Sequence, residues 1–203
     1  MSASSREQSS RRCVFYFDLG SPYAYLTAER ISGLFTDAEL EQPEWQPILL
    51  GGLFKHFGRE SWANGQGREE GIAEIERRAA DYGLPALAWP QPWPGNTLFA
   101  MRAATFAKQT GRTVSFALAA FRQAFAAGRD LSQPDHVLIA GAACELHPKA
   151  LLKAATTEGV KGALREATDR AAELGVIGVP ALVVDDEVFW GDDRLEEAVV
   201  AAS

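Results

Sequence analysis

The stretch that decides the fold runs Cys13-Val14-Phe15-Tyr16-Phe17-Asp18-Leu19-Gly20-Ser21-Pro22-Tyr23-Ala24. Its first five residues are a short β-branched and aromatic run, the signature of a strand, and Asp18-Leu19-Gly20 ends that run in a turn. A helix starts at once. Ser21 is a favourable N-cap, Pro22 suits the first helical position because an N–H there has no helical partner, and apolar residues continue to Ile31 before Gly33.

Outward from this corner, Trp45 to Leu50 reads as a second strand ended by Gly51-Gly52, which makes the opening a β-α-β unit. The middle of the chain then turns helical. Ile72, Ile75, Ala79 and Tyr82 mark one apolar face, and Val114, Leu118, Phe121 and Phe125 mark another. Between them Trp89-Pro90-Gln91-Pro92-Trp93-Pro94-Gly95 cannot be regular helix and reads as a rigid loop. Asn96 then caps a helix to about Gln109, and another helix follows Gln133-Pro134-Asp135. Helical spacing returns at Val160, Leu164, Ala167, Ala171 and Leu174. Two short strands, Ala181 to Val184 and Val188 to Trp190, are joined by Asp185-Asp186-Glu187 as a tight turn, and a last helix begins near Asp192. The expected fold is thus α/β: a thioredoxin-like domain over residues 13–62 and 158–203, with an all-helical insertion over 63–157.

With 47% apolar and 23% charged residues in 203, the chain has the make-up of a globular protein. Its net charge of -7 argues against non-specific nucleic-acid or anionic-membrane binding, both of which need a basic surface. No apolar run approaches the roughly 18–20 residues that span a bilayer. The Ser-rich stretch 1–12 reads as a disordered tail without an export signal, so a cytoplasmic location is expected. Cys13 and Cys144 suggest no disulfide framework, and His56, His136 and His147 show no metal-ligand spacing.

Two places can carry chemistry. At a strand-to-helix corner the first N–H groups of the helix are unpaired and the helix dipole favours an anion. A thiolate is such an anion, and the Ser21 hydroxyl stands where it can donate to the sulfur and favour its charged form. Ser21 is equally suited to being an ordinary cap. The second place is Gly178-Val179-Pro180: a proline at a strand entrance implies a special turn, such as one with a cis bond, that leaves the backbone of Val179 to pair with a peptide-like ligand. A merely rigid turn fits the same residues.

Together these features resemble the DsbA branch of the thioredoxin superfamily. Where redox members carry Cys-X-X-Cys, this chain has Ser21-Pro22-Tyr23-Ala24, so exchange between two thiols has no sulfur to work with. More closely, residues 15–26, Leu50-Gly51-Gly52-Leu53-Phe54-Lys55, Asn96 to Arg102, Gly178-Val179-Pro180 and Phe189 to Leu195 resemble the 2-hydroxychromene-2-carboxylate isomerases and the kappa-class glutathione transferases.

That resemblance implies a glutathione-dependent enzyme, either an isomerase or a transferase, acting on a small aromatic substrate as a homodimer. It implies that Ser21 contacts the glutathione sulfur, that Val179, beside Pro180, pairs with the cysteinyl backbone, and that Asp193 and Asp192 hold the γ-glutamyl end. Lys55 would approach a carboxylate of the cofactor. Tyr23, Trp89, Trp93 and Asn96 fall around the acceptor pocket, although tryptophans flanked by proline also serve to pack an insertion onto a core. Departures from the family's pattern occur at Gly58-Arg59, over Glu60 to Glu70, and in the doublet Asp192-Asp193. A non-catalytic binding protein that keeps the same cleft is the rival from another class.

Overall fold

The computed structural model describes residues 11–203. Residues 1–10 of the expected tail therefore lie outside the described residues, whereas its last two are held. The Arg12 guanidinium donates to Glu44 at 2.9 Å, and its carbonyl accepts the Asp185 N–H at 3.0 Å.

All five residues of β1 (Cys13–Phe17) are buried, because both faces of this strand are covered. It pairs in parallel with β2 (Glu44–Pro47) and antiparallel with β3 (Ala181–Val184), which pairs in turn with β4 (Glu187–Trp190), giving the order β2-β1-β3-β4. Asp185-Asp186 makes the β3–β4 turn, with Asp185 at φ 51°, so Glu187 opens the strand instead of closing the turn.

Helix α1 (Pro22–Asp37) is capped as expected: the Ser21 hydroxyl accepts the Ala24 N–H at 3.2 Å. It does not stop at Gly33, because buried Ile31 and Phe35 continue its apolar face while Gly33 sits exposed. The expected strand over 45–50 is cut short. Leu50 instead opens α2 (Leu50–Phe57), with Gly51 and Gly52 inside the helix. Its start is fixed by distant partners, since Asp18 accepts the Leu50 N–H at 2.8 Å and the Thr168 hydroxyl accepts that of Leu49 at 3.0 Å. Gly52 is needed there: a Cβ would lie 2.9 Å from the Thr168 methyl.

The helical stretch comprises α3 (Arg68–Asp81), α4 (Leu98–Gln109), α5 (Thr113–Phe125), α6 (Pro134–Ala143) and α7 (Pro148–Ala154), the last of which the sequence pattern did not announce. Helix α8 (Glu158–Glu173) returns the chain to the sheet, and α9 (Leu195–Ala202) follows one 3-10 turn at Asp192–Arg194. The inserted helices share the core of the sheet. Phe121 of α5 lies 5.9 Å from Phe17 and 6.2 Å from Tyr25, and Phe125 stacks on Tyr25 at 5.6 Å. The opposite face of the sheet, with Val14, Tyr16 and Val183, packs against Leu53 of α2 and Ala171 of α8. No helix among the described residues is long and apolar enough to cross a membrane.

Candidate active site

Antiparallel pairing sets Tyr16 opposite Ala181, so the turn after β1 faces the turn before β3. The Ser21 hydroxyl thereby reaches the Val179 carbonyl, to which it donates at 3.4 Å, across 158 residues of sequence. The Val179–Pro180 bond is cis, and the strand begins only at Ala181, leaving Val179 outside the ladder. At the start of α1, Pro22 has no N–H, Ala24 donates to the Ser21 hydroxyl and Tyr25 to the Ser21 carbonyl. The Tyr23 N–H is then the one at this helix start left without a partner among the described residues, so the corner offers one backbone and one hydroxyl donor to an anion.

A cleft of about 580 Å³ opens on this corner, a volume suited to a small ligand. One wall is aromatic: Tyr23 lies 6.1 Å from Trp62, and Trp62 lies 5.7 Å from Trp93. Trp93 is fixed by its indole N–H, which donates to the Gly20 carbonyl at 3.3 Å, and by Arg68, which donates to its carbonyl at 2.8 Å. Trp62 lies over Gly71, where a Cβ would come within 2.2 Å of its ring.

Beneath the corner, buried Asp18 ties three elements together. Its carboxylate accepts the Gly20 N–H at 2.9 Å, the Leu50 N–H at 2.8 Å and the Thr97 hydroxyl at 3.0 Å. Burial pushes its pKa above the usual carboxylate range, against the pull of those hydrogen bonds.

The far end of the cleft is charged. Asp192 is only 1% exposed and its carboxylate is already spent, on Arg78 at 2.7 Å and on the Tyr82 hydroxyl at 2.9 Å. Burial raises the Asp192 pKa while Arg78 pulls it down. Burial together with Asp192 pushes the Tyr82 phenol up to about 12, so that it stays a donor. Asp193 stands freer, with its side chain 59% exposed and 3.7 Å from Arg78. Across the cleft, Arg59 donates to the Ile177 carbonyl at 3.2 Å and lies over the Trp190 ring at 5.2 Å.

Of the residues singled out from sequence, Ser21, Tyr23, Trp93, Val179, Pro180, Asp192 and Asp193 line this cleft. Lys55, Trp89 and Asn96 do not. Lys55 is exposed on the outer side of α2, and Trp89 lies behind Trp93 at 4.6 Å, donating to Glu76 at 2.8 Å. The Asn96 side-chain oxygen accepts the Leu98 N–H at 3.0 Å from one residue before the N-cap, Thr97, of α4. Sequence reading missed Asp18, Trp62, Arg78 and Thr97, whose only local signals were a polar residue at a strand end, a tryptophan in a turn, a basic residue on a helix and a threonine at a helix N-cap. Arg59 stood in one of the noted departures. Among the described residues no group of His, Cys, Asp and Glu forms a metal site.

The match to known families can now be set beside this geometry. Residues 12–201 match the model of the DSBA-like thioredoxin domain. The chain belongs to this family. Among curated proteins, this DSBA-like chain is 28% identical over 190 residues to the 2-hydroxychromene-2-carboxylate isomerase of Sphingobium xenophagum, covering 90% of this chain and 93% of that protein. Among solved structures it superposes on a 2-hydroxychromene-2-carboxylate isomerase with a TM-score of 0.81 at 22% identity, covering 93% of each chain. DsbA of Pseudomonas aeruginosa follows the same fold with a TM-score of 0.60 at 15% identity, covering 97% of this chain and 85% of that one. In this DSBA-like chain the corner itself carries no sulfur, and both cysteines lie elsewhere, unpaired and buried. Burial pushes the Cys13 thiol up to about 12, and the Cys144 thiol is raised as well.

Proposed function

We propose that this protein is a glutathione-dependent isomerase of the 2-hydroxychromene-2-carboxylate isomerase type. The observation that carries the reading is the Ser21 hydroxyl at the α1 start, held across from Val179 in an aromatic-walled cleft. A donor–acceptor separation of 3.4 Å is long for an O–H···O bond, so redirecting this hydroxyl to a sulfur gives up little. Together with the Tyr23 N–H it stabilises a thiolate that the chain's own buried cysteines cannot supply. When bound, the thiol supplies a nucleophile that adds reversibly to a conjugated carbon and frees the former double bond to rotate.

The residues present fit glutathione unevenly. Val179 offers backbone outside the sheet, and Asp193 offers a carboxylate for an α-amino group. Asp192 is excluded from direct contact by Arg78 and Tyr82 and acts by fixing the turn that presents Asp193. Lys55 likewise does not line the cleft, whose cations are Arg59 and Arg78, of which Arg78 is already paired with Asp192. Tyr23, Trp62 and Trp93 give a flat aromatic acceptor one wall. A disulfide oxidoreductase is not proposed, because attack and resolution need two thiols at the corner. We also propose a homodimer in the cytoplasm as its working state.

Turnover of an aromatic cis-enone carboxylate with catalytic glutathione tests the reading. Ser21→Ala should lower kcat by about 10- to 100-fold, the loss of one hydrogen bond to a charged group. An unchanged rate in that variant would remove Ser21 from the mechanism. Consumption of one glutathione per product would shift the assignment to a kappa-like transferase, and no binding of any small thiol would favour a non-catalytic binding protein.

A further inference from the structure

A second hollow, of about 640 Å³, lies on the other face of the sheet, away from Ser21. Its floor is Val14 and Tyr16 of β1 with Val183 of β3, and its roof is Ala163, Ala167 and Arg170 of α8. The space exists because α8 presents two alanines over the strands, where longer side chains would close it.

The Tyr16 side chain is the informative group. Tyr16 is 6% exposed as a residue, and its hydroxyl, which meets no hydrogen-bond partner among the described residues, is the accessible tip that opens on this hollow. A tyrosine with its ring in a core and its hydroxyl free at a cleft offers a donor to whatever enters that cleft. Burial and nearby Glu44 raise the phenol's pKa, while Arg12 and Arg170 lower it, so the group is held as a donor. The charges around it are largely spoken for. Glu44 is paired with Arg12 at 2.9 Å and with Lys108 at 2.6 Å, and Asp185 with Arg11 at 3.8 Å. Arg170 and Glu166, one turn apart on α8, enter no ion pair among the described residues. A donor on an apolar floor beside an unpaired guanidinium matches one ligand chemistry.

We propose that this second cleft binds a small apolar carboxylate, its anion met by the Tyr16 hydroxyl and the Arg170 guanidinium and its body lying on Val14, Val183, Ala163 and Ala167. Glu166 opposes the anion and sets the limit on affinity. The site is independent of the Ser21 cleft and does not rest on the thiol chemistry proposed there.

Calorimetric titration of the full-length protein with naphthoate, and with uncharged naphthalenemethanol as its counterpart, tests the assignment. Naphthoate should bind saturably and about tenfold more tightly than the alcohol, the worth of one charge-assisted hydrogen bond. Arg170→Gln should erase that preference, Tyr16→Phe should weaken naphthoate about tenfold, and Glu166→Gln should strengthen it. Ala167→Leu should fill the space and block both ligands. Arg170 and Glu166 are exposed, so their variants report even if a floor variant folds poorly. No saturable naphthoate binding, or binding indifferent to Arg170→Gln and Glu166→Gln, would overturn the proposal.

Discussion

The Arg78–Asp192 pair, which joins α3 of the insertion to the turn after β4, predicts an asymmetry between its two partners. Replacing Arg78 with leucine leaves the Asp192 carboxylate 1% exposed with only the Tyr82 hydroxyl to meet it. An uncompensated buried charge of this kind costs about 3–5 kcal/mol. Replacing Asp192 with asparagine instead leaves Arg78 paired to Glu74 at 2.5 Å, near Asp193 and 20% exposed, so the loss is nearer the about 1–3 kcal/mol of one charged hydrogen bond.

The pH dependence separates the two cases further. Burial already raises the folded-state pKa of Asp192, and removing Arg78 takes away the main influence that lowers it. In Arg78→Leu, acidification from neutral pH through that raised pKa neutralises the carboxylate in the folded state before the unfolded chain takes up the proton, so the variant regains stability relative to the parent. The recovery ends at the ordinary carboxylate pKa, below which both states are protonated. Urea unfolding of both variants at neutral and mildly acidic pH measures this. Equal losses for the two variants, or an Arg78→Leu loss that stays constant with pH, would refute the account.

Two further outcomes follow from the same geometry. Asp18→Asn replaces an acceptor of three hydrogen bonds with a group that must turn its N–H₂ toward one of the donors; it should raise the KM for the thiol more than it lowers kcat, with Thr97→Val having a smaller effect in the same steady-state assay. Neither Cys13 nor Cys144 should react measurably with a thiol reagent in the folded state at neutral pH, since burial raises both pKa values, and both should react on unfolding; fast labelling of the native protein would contradict the buried placement.

Much of the fold could be read from local pattern, because the strand at 13–17 and the cap at Ser21 are stabilised by neighbours in sequence. The start of α2 could not. Its first N–H groups are satisfied by Asp18 and Thr168, 32 and 119 residues away, so Gly51-Gly52 looked like a strand terminus when both lie inside a helix and Gly52 is a point of close packing on Thr168. The same error put Lys55 at the cleft. With Leu53 buried, helical geometry turns Lys55 about 200° away from it toward solvent, while Leu50 and Phe54, four apart, face the cleft. Arg59, beyond the helix end at Gly58, swings back to Ile177 and Trp190. Asp192 was legible as a residue beside the corner, but not the occupation of its carboxylate, because its partners Arg78 and Tyr82 come over 100 residues earlier. Trp93 could be told from Trp89 only by the Gly20 carbonyl that receives its indole N–H.

The pairing of β1 with β3 has a consequence for the order in which the molecule comes into being. The central strand is made first and its antiparallel neighbour only after the whole helical insertion has been synthesised, so the side of β1 that meets β3 stays unfilled through most of translation. A strand edge left open in this way is a site for mistaken association. The charged ends of β1, Arg12 before it and Asp18 after it, stand as guards on that edge while the emerging chain waits for its partner. Closing the sheet late brings Ser21 and Val179 together in the same step, so the cleft exists only in chains that have finished folding.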